Sequence, residues 1–452
     1  MGITEILAEY NQKLLEHSSS FFAWYNITGR KVLDSLHTLF DNAFYVMLYI
    51  AVAVSLIYFV MAFYSLFYKP KKSAKETAKD SELPFVTIQI PTYNELVAIR
   101  CAQRCLEFDY PKEKYEILIG DDSNKPEVSR QISDFAKTSR HIKVFKRETN
   151  VGYKPANLNN LLKHSKGEVL VIFDSDFIPE PDFLRRIVQP FVTDKKIAGV
   201  QARWKLINYG QNFISALGAT IILTYHYINM PFMKRRKITF LCGSAEAVRK
   251  DLLIKYGGWE SGNLTEDIEY SLRIYADGHK IEYLEDLECG CEVPYTLKDL
   301  YRQQMRWAYG VIYSWKKHFG KVMKSSHLNF VDKFYMLIIF CSGYLISVLL
   351  GGLFLTGTLS LITHPPAPVE WGRFFYEMAR NIILTSGLIV TSILALIKSR
   401  KTSLTLKMVA SSFSFGLVVT YYVNIGIFKA ITKIPMEWYM LNKQGNKLVQ
   451  NS

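Results

Sequence analysis

The sequence predicts an α/β domain with a mostly parallel sheet, accompanied by α-helical transmembrane spans and amphipathic helices at the membrane interface. Three observations predict it. Uncharged apolar runs stand before and after a more polar middle. Within that middle, short continuously apolar runs alternate with helical stretches, as in a sheet buried on both faces. Acidic residues follow these runs directly, at the carboxyl ends where open α/β sheets bind ligands.

The 452 residues are 49% hydrophobic and carry a formal charge of +14, which allows one sizeable domain plus a membrane part. The lysines and arginines cluster beside the apolar runs and no known nucleic-acid motif is present, so a nucleic-acid binder is excluded and an anionic membrane face is favoured. The 28 Tyr and 28 Phe suit membrane interfaces. Six cysteines without paired zinc spacing read as reduced thiols facing a cytosol.

In chain order, residues 1–42 form an external or interfacial segment. Residues 43–68 are uncharged and exceed the roughly 20 needed to span a bilayer. The basic linker 69–82, with five lysines, stays cytoplasmic and leaves the N-terminus outside. Residues 83–330 are the α/β domain. Its strands are Phe85–Ile90, Tyr115–Gly120 and Glu168–Phe173. Residues 206–233 and 297–320 read as interfacial helices, the first one or two amphipathic helices beside Lys234–Lys237. Three further spans follow at 334–362, 381–397 and 408–428. The tail, 431–452, falls outside the cell by that count. The chain thus reads as an integral protein of the cell membrane with a cytoplasmic domain.

The three strands bring Asp121, Asp122, Asp174 and Asp176 to one edge. Each alone suits a turn or cap; the repeated placement at strand ends suits a site. Asp174 and Asp176, two apart, point the same way if extended, and two carboxylates on one side suit a hard divalent ion that also takes phosphate oxygens. Lys154 can meet a phosphate. In LYRQQMRWAYG, Gln303, Arg306 and Trp307 share one helical face. That face is either an interfacial anchor or an aromatic shelf for a sugar ring with an arginine aimed at a diphosphate. In NLTEDIEYSLRIYADGHK, Thr265 reads as an N-cap, the acids after it suit the positive helix end, and Glu269 and Arg273 form an i,i+4 pair.

The ordered set GDDS, DSD, TED and QQMRW resembles the D, DxD, TED and QxxRW motifs of membrane-bound family-2 glycosyltransferases, the group of cellulose, mannan, chitin and hyaluronan synthases. The resemblance covers about residues 84–321 and lies nearest the cellulose- and mannan-synthase-like branch. It implies a GT-A fold, a UDP- or GDP-hexose donor and Mg2+ or Mn2+. It implies that Pro91, Thr92, Tyr93 and Glu95 border the nucleoside, that Asp121 and Asp122 hold the base and ribose region, and that Lys154 lies near the diphosphate. Asp176 would bind the metal with Asp174 in support. Gln303, Arg306 and Trp307 would cover the diphosphate and the acceptor's terminal sugar, with Cys242, Gly243 and Ser244 beside the acceptor. Glu266 and Asp267 would be the catalytic acids, Asp267 the general base. The implied reaction is inverting transfer to a growing β-linked glycan, processive and with translocation of the product. Transfer of one sugar to a membrane lipid is the alternative, and an inactive membrane scaffold a remote one. A partner subunit is left open.

Overall fold

The computed structural model describes residues 3–24, 28–70, 78–364 and 370–445. Part of the expected basic linker, 71–77, and the end of the expected tail, 446–452, lie outside the described residues. Two compact units emerge. The first contains α1 (Ile3–Trp24), the amino-terminal part of α2 (Arg30–Phe67) as far as Leu56, and two helices introduced below. In it, His37 Nδ1 lies 3.0 Å from the carbonyl of Ser360, and Gly357 lets Phe44 approach.

The second unit contains the seven-stranded sheet and the helices around it. Its elements begin with β1 (Val86–Thr92), α3 (Val97–Leu106), β2 (Tyr115–Asp121), α4 (Pro126–Ala136), β3 (Ile142–Lys146), α5 (Tyr153–His164), β4 (Val169–Ile172), α6 (Phe183–Thr193) and β5 (Ile197–Leu206). There follow α7 (Phe213–Thr224), a π-helical turn Tyr225–Asn229, α8 (Met230–Lys234), β6 (Glu246–Arg249), α9 (Lys250–Lys255), α10 (Glu266–Ala276), β7 (Lys280–Cys291) and α11 (Leu297–Lys324).

The seven strands form one sheet in the order β3-β2-β1-β4-β6-β5-β7. Only β6 runs against its neighbours; the other pairings are parallel. β1, β2 and β4 are buried at every position, because helices cover both faces of a parallel sheet. Ile88, Ile90, Ile117, Ile119, Val169 and Val171 form the centre of the apolar core. The three strands expected from the sequence match β1, β2 and β4 to within two residues at each end.

After α11 come α12 (Phe330–Phe334), a π-helical turn Tyr335–Ile339, α13 (Phe340–Thr363), α14 (Trp371–Thr385), α15 (Gly387–Lys398), α16 (Thr405–Phe413) and α17 (Phe415–Thr432). The part of α13 from Leu345, together with α14, belongs to the first unit. Among the described residues, four helical segments are long and apolar enough to cross a membrane: Arg30–Phe67, Phe213–Lys234, Phe330–Thr363 and Phe415–Thr432. The pair α14–α15 makes a fifth if it counts as one span.

Four differences from the sequence reading have physical causes. The segment expected at 206–233 as amphipathic surface helices is one helical run, Phe213–Lys234. It is apolar and buried on nearly every side of α7, against α15 and α16. A helix hydrophobic all round packs inside rather than at a boundary. The expected span 381–397 is broken at Ser386, between α14 and α15. The span expected at 408–428 is likewise interrupted at Ser414. Finally, the tail expected outside lies on the α/β domain, where Lys443 meets Asp176. It therefore stands on the same side as that domain, and α17 runs along α11 instead of carrying the chain away.

The contact of α17 with α11 depends on Gly426, whose missing side chain leaves room for the Met305 carbonyl; a Cβ there would stand 2.4 Å from that oxygen. Gly426→Ala is expected to cost about 1–3 kcal/mol through overpacking. Gly320→Ala on α11, which meets nothing within 4 Å, is expected to be neutral or to stabilise by up to about 1 kcal/mol. Thermal unfolding of both variants in detergent checks the pair.

Candidate active site

The site is assembled where β1, β2 and β4 end and where α5, α10 and α11 present their inner faces. Lys154 on α5 is its hub. Its ammonium lies 2.8 Å from Asp174 and 3.2 Å from Glu266, and it donates to the carbonyl of Gly243. Although burial alone disfavours an ammonium, Asp174 and Glu266 raise its pKa and keep it charged. Asp174, Glu266 and Gly243, named separately from the sequence, are joined by this one cation.

Asp267 occupies the first turn of α10, beside that hub, and is 8% exposed. Burial, then the adjacent Glu266, push its pKa up to about 7, while Lys154 pulls the other way. A carboxylate titrating near neutrality is suited to proton transfer. Thr265 does not cap the helix: its side chain makes no cap hydrogen bond, and its hydroxyl is buried. Asn263 Oδ1 instead accepts from the Thr265 N–H, so the entry to α10 is fixed by an Asx turn. The expected Glu269–Arg273 pair forms at 2.6 Å, and His318 on α11 also meets Glu269 at 2.6 Å.

Asp174 and Asp176 lie beyond the end of β4, in a turn closed by the Phe177 N–H on the Asp174 carbonyl. Strand alternation therefore does not apply to them, and they face different cations. Asp174 faces Lys154; Asp176 Oδ1 lies 2.8 Å from Lys443, and its Oδ2 accepts from the Glu292 N–H. Burial opposes ionisation of Asp176, yet the Lys443 charge and hydrogen bond hold its pKa below the ordinary value. Glu95 joins the same group, 3.1 Å from Lys443 and accepting from the Ser175 hydroxyl; burial pushes its pKa up.

The remaining expectations are met unevenly. Pro91 and Thr92 close β1, and the Asp122 N–H donates to the Thr92 carbonyl. Tyr93 follows at the mouth, half-buried. Asp121 turns back on its own loop, accepting from the Ser123 N–H. Both oxygens of Asp122 are taken by Arg147, which also holds the carbonyls of Val151 and Tyr153. Asp122 is thus an anchor for the 147–153 loop rather than an open acceptor. Gln303 is buried, and its side-chain oxygen accepts from Gln304. Arg306 donates to the Leu264 carbonyl at 2.9 Å and stacks 4.0 Å from the Trp438 ring. Trp307 is half-buried, with its ring centroid 6.4 Å from that of Trp204. Ser244 accepts from the Asp174 N–H through its hydroxyl and from the Trp204 indole through its carbonyl. Cys242 lies in the same loop, its N–H shared by Gln201 and Glu246.

The sequence reading missed Gln201, Trp204, Glu246, Glu292, Trp438 and Lys443. Glu246, an acid at the start of the short strand β6, was the one visible signal. It also missed Glu260 and His318, whose ligand atoms lie within 4.8 Å of one another and of Glu269, which the sequence reading had only as the partner of Arg273. Lys317 and Arg273 already stand on those two carboxylates.

The Asp122–Arg147 pair yields a structural prediction. Arg147→Met leaves Asp122 buried without its cation, and breaking such a pair is expected to destabilise by about 3–5 kcal/mol. Thermal unfolding without donor checks it; an unchanged midpoint refutes the anchoring role.

Residues 84–310 match the model of the family described as glycosyltransferase like family 2. Two relatives in Arabidopsis thaliana are glucomannan 4-beta-mannosyltransferase 7, 30% identical over 289 residues, and glucomannan 4-beta-mannosyltransferase 2, 30% identical over 276. The first alignment covers 60% of this chain and 52% of the relative, the second 59% and 51%. The chain therefore spans about half the length of the curated relatives it matches. A mannosyltransferase of Pyrobaculum calidifontis, solved in complex with GDP-Man and Mn2+, superposes with a TM-score of 0.58 at 18% identity, covering 89% of this chain and 99% of that one. That likeness shows the GT-A fold.

Proposed function

The chain belongs to glycosyltransferase family 2, and from that premise we propose that it is an inverting membrane glycosyltransferase moving a hexose from a nucleotide-diphosphate sugar to a growing β-linked glycan. The observation that carries the reading is Asp267: a buried carboxylate, titrating near neutrality, beside a lysine-centred cluster at the strand ends. The relatives are named for mannosyl transfer, and the Pyrobaculum calidifontis enzyme was solved with GDP-Man bound, so GDP-mannose is the first donor to test.

In this reading the acceptor hydroxyl gives its proton to the Asp267 carboxylate as its oxygen forms a bond to the anomeric carbon. The bond from that carbon to the diphosphate breaks, and its electron pair leaves with the nucleoside diphosphate. Attack from the opposite face inverts the centre, so an α-linked donor gives a β-glycoside. Lys154 and Arg306 supply positive charge beside the departing diphosphate. Pro91, Thr92, Tyr93, Asp121 and Gln303 shape the donor side. Cys242, Gly243, Ser244 and Trp307 border the acceptor, with Trp204 as a second aromatic wall. Glu266 keeps Lys154 in place.

The residues fit a divalent ion. Asp174 and Asp176 offer hard oxygen ligands, and Asp176 with Glu95 already draws a cation, the Lys443 ammonium. Mg2+ or Mn2+ held by Asp176 and Asp174, in place of that ammonium, would neutralise the diphosphate charge. The lysine-rich 69–82 linker supports a cytoplasmic catalytic domain in an integral protein of the cell membrane, with the N-terminus outside.

Nucleoside-diphosphate release by the purified full chain in lipid, across GDP- and UDP-sugars with each metal, tests the proposal; silence with every donor, with added glycan and lipid acceptors, refutes it. Product sizing separates chain extension from transfer of a single sugar to lipid. Asp267→Asn is expected to lower turnover by about 100- to 10,000-fold while donor binding persists. Because the base acts ionised and burial raises its pKa to about 7, kcat is expected to rise with pH through about 7 and to fall below it as the carboxyl takes a proton. Asp176→Ala is expected to abolish the metal dependence of donor binding, measured by calorimetry with and without Mn2+.

A further inference from the structure

Glu246 is a buried carboxyl with no part in the transfer step above. It is 1% exposed and opens β6. The antiparallel pairing of β5 with β6 sets Glu246 directly opposite Gln201, so the two side chains stand together on one face of the sheet. Both reach the same loop. Glu246 Oε2 accepts from the N–H of Cys242 at 3.1 Å and of Gly243 at 2.8 Å, and Gln201 Oε1 accepts from Cys242 at 2.7 Å. Gln201 Nε2 returns a bond to the Ser244 carbonyl at 3.0 Å.

The loop so gripped is strained and close to the chemistry. Gly243 has φ +82 and Ala245, unusually for a residue with a side chain, φ +50. A Cβ on Gly243 would lie 3.3 Å from the Lys154 ammonium and 3.5 Å from Asp267 Oδ2. The Gly243 backbone is therefore the floor against which the base and the lysine rest, and its carbonyl is one of the lysine's acceptors. The surrounding charges are Lys154 from α5, Asp174 after β4, Glu266 and Asp267 from α10, and Arg306 from α11. Burial first, and then Asp267, push the pKa of Glu246 well above its ordinary value. Its Oε2 accepts both of its hydrogen bonds from the backbone of the loop.

Resting on the assignment of Asp267 as base, we propose that Glu246 is a positioning residue for glycosyl transfer: by holding the Cys242 and Gly243 N–H groups it fixes the loop that seats Lys154 and Asp267 and borders the acceptor. It touches neither donor nor acceptor. Its effect therefore appears in the rate of the chemical step more than in donor affinity.

The test compares Glu246→Ala and Glu246→Gln with Asp267→Asn in the full chain in lipid, using the donor that supports turnover. Glu246→Ala is expected to lower kcat by about 100-fold, as misplacement of a reacting group does, without a matching rise in donor KM. Glu246→Gln keeps an oxygen acceptor of the same reach in a nearly equal volume and is expected to restore most of the rate. An alanine variant at the wild-type rate overturns the proposal. So does a glutamine variant that folds with the wild-type melting temperature yet is as slow as alanine, and so does an equal loss of rate and donor affinity. If Asp267→Asn keeps its turnover, the assignment of the base has failed; if that variant is inactive while both Glu246 variants are normal, only the positioning role has.

Discussion

The site depends on one buried ammonium. Lys154 comes from α5, Asp174 from the turn after β4, Glu266 from the start of α10 and the Gly243 carbonyl from the loop before β6. These segments are distant in the chain; the pairing of β4 with β6 brings two of them side by side, and each contributes an oxygen to the same cation. A charge removed from water is tolerated only when paired and hydrogen-bonded. Hence the burial of Lys154 requires its partners to be in place, and their closeness to one another requires Lys154. Without it, Asp174, Glu266 and Asp267 would crowd together as like charges.

The cluster also explains how an acid in a helix's first turn comes to titrate near pH 7. The amino end of a helix favours the ionised carboxylate, and Lys154 favours it too. Burial and the neighbouring Glu266 act more strongly in the opposite direction. The opposing effects leave Asp267 close to the point where it accepts and releases a proton readily. Burial and Asp267 push the Glu246 carboxyl upward as well, but its oxygen is engaged by the Cys242 and Gly243 N–H groups, so it supports the loop instead. Nearby carboxyls thus have separate tasks because their surroundings differ in charge and in backbone donors.

A second cation, Lys443, stands on Asp176 and Glu95 and comes from the far end of the chain. Trp438 of the same segment stacks on Arg306, and Gln444 and Gly445 donate to Glu292. The carboxylates after β4 are therefore balanced by one lysine from the domain's interior and one from its tail. The tail is held by charge and ring contacts with the site itself.

The sequence by itself determined the class of fold, and it named Lys154, Asp174, Glu266 and Gly243, which meet in the structure. Unbroken apolar runs ending in acids specify buried parallel strands with ligands at their carboxyl ends, and this signal is local. Gln303, Arg306 and Trp307 were placed on one helix by spacing alone. The tertiary structure decided what no local pattern carries. Asp122 is committed to Arg147 because β3 brings that arginine alongside β2. The 213–234 helix is interior because α15 and α16 cover its outer sides. Glu246 and Lys443 enter the site through strand pairing and chain return across tens to hundreds of residues. Hydrophobic periodicity reports the face that an element buries, whereas the partner of a buried charge is set by whichever element packs against it.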